Sequence, residues 1–181
     1  RVTRYLPLPS MVITRDMDIH FCNDRFLEHI NVSRADWEAS SPSLHNIMDM
    51  LGDPRSPVYA QLAFDPDNWR RVIERFVLGY KVDNVFCEYE SWHLERLARW
   101  RQLPEPAGSL LTELWDNIKI DRWQPAGEVR ADFSFYTMHL RTRTGNDVRL
   151  RPIFTIVGDY RYPRIISLVP ADADSERALL Q

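Results

Sequence analysis

The histidines are the side chains of this sequence best suited to holding a metal ion or a haem, and there are five: His20, His29, His45, His93 and His139. Histidine ligands of one metal commonly lie three to five positions apart, where a short stretch of chain can present both rings. No two of these histidines are three or four positions apart, so a metal site would need ligands from distant segments. The spacing therefore predicts hydrogen-bonded or solvated histidines, with no metal and no haem.

Carboxylates and thiols are the other candidates for chemistry. Glu88 and Glu90 are closely spaced, but such pairs commonly complement the positive end of a helix. Their charge also disfavours a reactive thiolate at Cys87. Cys22 precedes Asn23, whereas a flavin photochemical site of the Asn-Cys-Arg-Phe-Leu-Gln type needs the reverse order. Because the sequence also lacks a G-x-S-x-G motif and a glycine-rich phosphate loop, we expect no enzymatic activity and no cofactor.

The composition indicates one folded domain that does not itself bind polyanions. The 181 residues are 44% apolar and 12% aromatic, which is enough to fill a core. The 23 basic and 26 acidic residues give a net charge of −3, which disfavours direct contact with nucleic acid. Apolar runs are far shorter than the roughly 20 residues of a membrane span. The two cysteines form no C-x-x-C motif, and we expect a cytoplasmic protein.

The N-terminal segment is predicted to be a hairpin followed by a helix. Short β-branched and aromatic runs predict strands over 11–15 and 19–23. Asn23 or Asp24 can then cap a helix that runs to Ile30, because a short polar side chain accepts hydrogen bonds from the first helical turn. We expect Asn23 to have this structural role.

Apolar residues at helical spacing predict further helices over 44–51, 66–80, 86–103 and 110–118. The clearest is 66–80, where Asp65 precedes Pro66 in the favoured order of a cap and then a first helical residue. Ser109 is the predicted cap of the last one.

After residue 128 the pattern changes to strands, predicted over 131–143, 148–158 and 164–169. Gly145-Asn146 is a two-residue turn signal that would join the first two of these strands. With that turn, Met138 faces Ile153. The order of two strands, several helices and three strands predicts an α+β fold, a five-stranded antiparallel sheet with a helical layer on one face. This is the element order of the PAS fold, and we expect a single domain over 1–175 and a tail over 176–181.

Three segments, in order, resemble the PAS-like ligand-binding domain of the MmyB-like bacterial transcription regulators. The first begins at Leu8-Pro9 and continues through a strand, a charged turn, a second strand and Asn23. The second is DPRSPVYAQLAFDPDNWRRVIERF (53–76), and the third is SLLTELWDNIKI (109–120). The sequence departs from the family at Phe21-Cys22, where relatives often have Trp. The resemblance covers nearly the whole chain.

The resemblance implies a ligand-sensing domain of a cytoplasmic bacterial transcription regulator. In that family the domain follows a Cro-type helix-turn-helix DNA-binding domain, which is absent from this chain, so DNA would be reached only through that domain. Some relatives hold a fatty-acid-like ligand between sheet and helices, and such regulators commonly form homodimers. The alternative is a dimerisation or protein-interaction module with a filled core. A ketosteroid-isomerase-like enzyme is a third class, disfavoured because such folds begin with helices.

Large apolar side chains either fill a core or line a pocket. The predicted ligand contacts are the aromatic and aliphatic residues of the central helix, the helical region and the inner sheet face: Phe21, Trp69, Ile73, Phe76, Trp92, Trp115, Phe133, Phe135, Phe154 and Ile156. A second apolar set is predicted on the opposite sheet face, where a homodimer would cover it: Tyr136, Met138, Leu140, Ile153 and Val157.

Overall fold

The computed structural model of the chain describes residues 6–40, 42–120, 136–142, 145–157 and 162–179. Its strands are β1 (Ser10–Ile13), β2 (Ile19–Cys22), β3 (Met138–Arg141), β4 (Asp147–Ile156) and β5 (Arg164–Pro170). Its helices are α1 (Asp24–His29), α2 (Arg34–Ala39), α3 (Ile47–Gly52), α4 (Pro57–Leu62), α5 (Pro66–Asp83), α6 (Ser91–Arg101), α7 (Ala107–Asn117) and α8 (Ala173–Leu179), with a 3₁₀ turn over Pro42–His45. Within these residues, the helices lack the combination of length and apolar character that a bilayer crossing requires.

One antiparallel sheet holds the five strands in the order β2-β1-β5-β4-β3. The first hairpin therefore lies beside the last strand, with Met11 opposite Ile166. Alternate residues of the strands project toward the helices and are at most 5% exposed, among them Met11, Ile13, Val148, Leu150, Ile166 and Leu168. The predicted α+β, PAS-like fold is confirmed.

Asn23 joins β2 to α1, and its side chain makes four hydrogen bonds. Its Oδ1 accepts from the backbone N–H of Phe26 at 2.9 Å and from that of Ser10 at 3.0 Å. Its Nδ2 donates to the carbonyls of Leu8 and Leu6. The predicted capping role is confirmed, and the same amide also holds the chain that leads into β1.

The predicted start of the central helix is confirmed at Asp65 and Pro66. Asp65 Oδ1 accepts from the N–H of Asn68 at 3.0 Å, and Pro66 is the first residue of α5. The helix runs three residues beyond the predicted end, to Asp83. Its apolar stripe is buried against the sheet and the neighbouring helices, as the periodicity predicts.

The next two helices begin at other residues than predicted. Chain turns precede α6, because the N–H of Cys87 donates to the carbonyl of Asn84 and that of Glu90 to Cys87, so the helix starts at Ser91 instead of residue 86. α7 starts two residues before Ser109, whose hydroxyl donates to the Glu105 side chain instead of capping.

The pairing of β3 with β4 differs from the predicted register by three residues. Arg141 faces Asp147, and Met138 faces Leu150 instead of Ile153. Because the side chains of a strand alternate between faces, a shift by an odd number of residues exchanges the two faces.

A longer turn causes this shift. The N–H of Thr142 donates to the carbonyl of Asn146 at 2.9 Å, so five residues, 142–146, separate the two strands instead of two. Gly145 has a φ of +84°, a conformation that glycine adopts without strain. The consequence is that Met138 and Leu140 point into the core.

Arginines of α6 connect the first hairpin to α3. Arg96 Nη2 lies 2.9 Å from Asp18 Oδ1 and 3.3 Å from Asp16 Oδ2. Arg99 Nη2 lies 2.6 Å from Oδ2 of Asp49, which is 1% exposed. Burial raises the pKa of Asp49 to about 6, against the opposing effect of the Arg99 charge.

The end of the chain is helical up to Leu179, where a tail was predicted over 176–181. The buried Ser175 hydroxyl accepts from the backbone N–H of Arg149 at 2.9 Å. Arg149 also pairs with Asp172 at 2.8 Å. These contacts hold α8 against β4 and β5.

Candidate ligand-binding cavity

A small cavity lies between the inner face of the sheet and four helices. Its sheet side consists of alternate, buried residues of three strands: Met11, Met138, Leu140, Ile166 and Leu168. These residues come together because β5 lies in the middle of the sheet, between β1 and β4.

The helical side of the cavity is also apolar. It is lined by Phe26 and Ile30 near the end of α1, by Ile47, Met50 and Leu51 of α3, by Val58 and Leu62 of α4, and by Phe76 of α5. Side-chain caps fix where two of these short helices begin. Asn46 Oδ1 accepts from the N–H of Met48 at 3.0 Å, and the Ser56 hydroxyl accepts from the N–H of Val58 at 3.2 Å.

His29 and Gln61 are the polar side chains among the residues that line this cavity. Gln61 Nε2 donates to the backbone carbonyl of His29 at 3.0 Å, which fixes the orientation of the amide. Gln61 Oε1 and His29 Nε2 are buried and have no hydrogen-bond partner among the described residues. Neither atom reaches the surface of the cavity, which is entirely apolar.

The cavity is uncharged. Burial lowers the pKa of His29 to about 4, so the imidazole is neutral at neutral pH. Among the described residues that line the cavity, none is an Asp, Glu, Lys or Arg.

The cavity is small and has adaptable walls. Its volume is about 50 Å³, whereas ligand sites typically measure roughly 300–1,000 Å³. Met11, Met50 and Met138 line it from three different elements. Methionine is unbranched and flexible, so these side chains can change rotamer and enlarge the space for a bound molecule.

A group of aromatic side chains packs away from the cavity, between α5, α6 and α7. Tyr80 stacks on His93 with ring centroids 5.2 Å apart, and its hydroxyl lies 3.1 Å from His93 Nδ1. Trp100 meets Tyr80 edge-on at 4.7 Å, and Trp115 lies 6.1 Å from Tyr80. We call Tyr80, His93, Trp100 and Trp115 the aromatic cluster; its first three members are at most 2% exposed.

The structure brings only part of the predicted ligand contacts to the cavity. Phe76 lines it. Trp69 and Ile73 are buried in the surrounding core, where Trp69 Nε1 donates to the carbonyl of Leu51 at 2.9 Å. Trp69 thus has a packing role. Its position in the apolar stripe of α5 fits a core residue and a ligand contact equally well.

The other predicted contacts are dispersed. Trp115 belongs to the aromatic cluster, and the ring of Trp92 lies 5.6 Å from that of His93. Phe154 packs half-buried at the edge of the core, and Ile156 is 48% exposed. Phe21 pairs with Val12 on the face of the sheet turned away from the cavity. Phe133 and Phe135 lie outside the described residues.

Two of the predicted interface residues were wrong. Met138 and Leu140 are 6% and 3% exposed and line the cavity, because the register shift turns them inward. Tyr136 packs half-buried against the core. Ile153 is 43% exposed on the outer face of the sheet, and Val157, one residue past the end of β4, is 46% exposed.

Sequence reasoning missed α4 and, with it, Gln61. The missed signal is Ser56-Pro57, which has the same order of cap and proline as Asp65-Pro66. His29 was considered only as a metal ligand, although it lies among the apolar residues Phe26 and Ile30 at helical spacing. That position on a buried helix face indicates an environment of low polarity.

The fold and the cavity together define a PAS-like α+β domain with an uncharged internal cavity. Neither a protein-family model nor a curated protein sequence matches the chain significantly. The part of the chain that the structure describes contains no group of three or more His, Cys, Asp or Glu side chains placed to hold a metal ion. The cavity and the fold are therefore the features of this chain that bear on its function.

Proposed function

We propose that this domain is the ligand-sensing unit of a cytoplasmic bacterial transcription regulator and binds a small apolar molecule between sheet and helices. One observation carries the proposal: an apolar cavity, lined by three methionines, lies between the inner face of the sheet and four helices. Ligand sites are concave and mostly apolar. The PAS-like fold and the resemblance to MmyB-like regulators support the regulatory role.

The location of the cavity suggests how binding would be transmitted. The walls come from the sheet and from α1, α3, α4 and α5, so a bound molecule contacts most elements of the domain at once. A ligand that binds one arrangement of these elements more tightly shifts the population toward it. In the proposed regulator this shift changes the geometry of an attached helix-turn-helix dimer, and the domain itself catalyses no reaction.

Native mass spectrometry of the purified domain tests the ligand proposal. We expect an adduct of a single small molecule under native conditions and its release on denaturing extraction. Leu62→Trp, which places a large ring beside the cavity, is expected to remove the adduct, and Leu94→Trp at a half-exposed site is the matched control. A native mass equal to that of the polypeptide alone would contradict the proposal.

A homodimer through the outer face of the sheet is part of the proposal. Ile153 and Val157 expose apolar surface there, and Val12, Phe21 and Ile165 lie on the same face half-buried. Light scattering should show a dimer that Ile153→Glu converts to a monomer, whereas Gln102→Glu at an exposed helix end should leave it intact. A wild-type monomer would contradict this part of the proposal alone.

The small volume favours a second candidate, a protein-interaction module whose core is filled. Phe86 and Tyr89, which are 85% and 88% exposed before α6, would then be the contact residues. This candidate predicts an empty native mass spectrum and a partner whose binding is lost in Phe86→Ala and Tyr89→Ala.

A further inference from the structure

We infer that the aromatic cluster has a redox role, in which Tyr80 gives up an electron to a one-electron oxidant at the protein surface and its phenolic proton moves to His93. This activity goes beyond the proposed ligand-sensing function and does not depend on it. It follows from the contacts of the four rings and from which of them has a proton acceptor.

The hydrogen bond between Tyr80 and His93 pairs the buried hydroxyl in only one direction. Tyr80 is 0% exposed, and its hydroxyl lies 3.1 Å from His93 Nδ1. With a proton on Nδ1, the phenolic O–H would be buried without an acceptor among the described residues. Burial also lowers the pKa of His93, so the ring is neutral at neutral pH. The phenol therefore donates to the lone pair of Nδ1.

This hydrogen bond allows Tyr80 to lose its proton and its electron together. Burial raises the pKa of Tyr80, so the phenol does not ionise beforehand. A phenol that has lost an electron is a strong acid, and its proton then moves to His93 Nδ1. The products are a neutral phenoxyl radical and an imidazolium, and the charge of the Glu88 carboxylate favours that imidazolium.

The tryptophans of the cluster can pass an electron but cannot retain the positive charge. Trp100 meets Tyr80 at 4.7 Å, and its Nε1 is buried without a partner among the described residues. An oxidised Trp100 therefore keeps its proton and its charge in apolar surroundings, which is costly. Trp115, half-buried and 6.1 Å from Tyr80, has the Lys81 ammonium 4.5 Å from its ring centre. That charge opposes a second positive charge on the ring, so the oxidation ends at Tyr80.

The complete step balances with a peroxyl radical as the class of oxidant. The peroxyl radical gains one electron from half-buried Trp115 and, with a proton from solvent, becomes a hydroperoxide. Trp115 regains its electron from Tyr80, whose O–H bond breaks while an N–H bond forms at His93. A one-electron reductant such as ascorbate then returns the electron to the phenoxyl radical, and the imidazolium returns the proton.

Flash photolysis of ruthenium tris(bipyridine) with a cobalt(III) ammine acceptor supplies a one-electron oxidant for the test, and electron paramagnetic resonance after rapid freezing identifies the radical. The whole domain is used with Tyr89→Phe, because Tyr89 is 88% exposed and would be oxidised directly. We expect a neutral tyrosyl radical in this protein and its loss when Tyr80→Phe is added.

Tyr59→Phe is the matched control. The ring of Tyr59 lies 5.6 Å from that of Trp69, but its hydroxyl has no hydrogen bond to a histidine among the described residues. The tyrosyl signal should therefore be retained. His93→Phe keeps a flat ring beside Tyr80 and removes the proton acceptor, so a tryptophan radical should replace the tyrosyl radical. Deuterated water should slow radical formation in the protein that retains His93.

A tyrosyl signal that is unchanged by Tyr80→Phe would overturn the inference, as would an undiminished signal in His93→Phe. If His93→Phe does not fold, the rates in normal and deuterated water decide, and equal rates overturn the inference. Each of these results would leave the ligand-sensing function standing, because the cavity lies outside the aromatic cluster.

Discussion

Two regions of this molecule each place a histidine in apolar surroundings, with different results. His93 is stacked on Tyr80 and hydrogen-bonded to its hydroxyl through Nδ1, inside the aromatic cluster. His29 lies beside a cavity walled by methionine and branched aliphatic side chains. The Nε2 atoms of both histidines are buried without a partner among the described residues. Flat rings that pack edge-to-face fill their space, whereas flexible and branched side chains around a sheet leave some unfilled. The aromatic cluster therefore serves stability, and the cavity is the region available for a ligand.

The largest effect should come from removing a ring of the aromatic cluster. Trp100 is 2% exposed and packs edge-on against Tyr80, so Trp100→Ala should lower the free energy of unfolding by about 3–5 kcal/mol. Urea denaturation measures this loss. The small-molecule adduct expected in native mass spectrometry should be retained by the folded variant. A loss below about 1 kcal/mol would show that the cluster is not a filled core.

A pH-dependent stability is the second expected effect, and it originates at the cavity. The pKa of His29 falls from 6.5 to about 4 on folding, so the unfolded chain binds the proton more tightly. The free energy of unfolding is therefore highest above pH 6.5, where the ring is neutral in both states, and it falls as the pH drops toward 4. Between pH 7 and pH 5 the wild-type protein should lose about 2 kcal/mol relative to His29→Gln.

The comparison with His29→Gln is needed because other groups titrate in the same range. The raised pKa of Asp49 has the opposite effect on stability, since its protonation stabilises the folded state below about pH 6. Burial also lowers the pKa of His93. Because Asp49 and His93 are present in both proteins, their contributions cancel in the difference between the wild type and His29→Gln. An unchanged stability difference from pH 7 to pH 5 would mean that the His29 ring is hydrated.

A smaller effect is expected from a single hydroxyl of the aromatic cluster. Tyr80→Phe keeps the stacked ring but removes the partner of His93 Nδ1, so the free energy of unfolding should fall by about 1 kcal/mol. Thermal unfolding followed by circular dichroism measures the difference. A more stable variant would indicate that His93 does not depend on this hydrogen bond.

The smallest effect is expected at the cavity, from Gln61→Leu without ligand. The change removes the hydrogen bond to the His29 carbonyl and also removes an unpaired buried oxygen, so the two effects oppose each other. We expect a change of less than about 0.5 kcal/mol in the free energy of unfolding. A loss as large as that from Trp100→Ala would show that Gln61 is primarily structural.

Local signals made much of the fold predictable from the sequence. Asp65 before Pro66 located the start of α5, and Asn23 located the start of α1, because capping depends on neighbours in the chain. The pairing of β3 with β4 was not predictable in this way. Gly145-Asn146 fits a two-residue turn, and the hydrogen bond between Thr142 and Asn146 that selects the longer turn is not visible in the pattern.

The cavity was less predictable than the fold because its walls are distant in sequence. Met11 and Leu168 line it together only because β1 pairs with β5, which composition and spacing do not reveal. The number of tryptophans favoured a prediction of aromatic ligand contacts. Most of the predicted aromatic side chains that the structure describes pack outside the cavity. Gln61 became visible as a site residue only once α4 placed it beside the cavity.

A crystal structure of the domain soaked in 1-hexanol tests the central claim most directly, because it shows which of the two regions accepts a ligand. We predict one alcohol molecule between the sheet and α1, α3 and α4, with new rotamers at the methionines that line the cavity, Met11, Met50 and Met138. An empty cavity at saturating alcohol, or an alcohol bound within the aromatic cluster instead, would contradict the account.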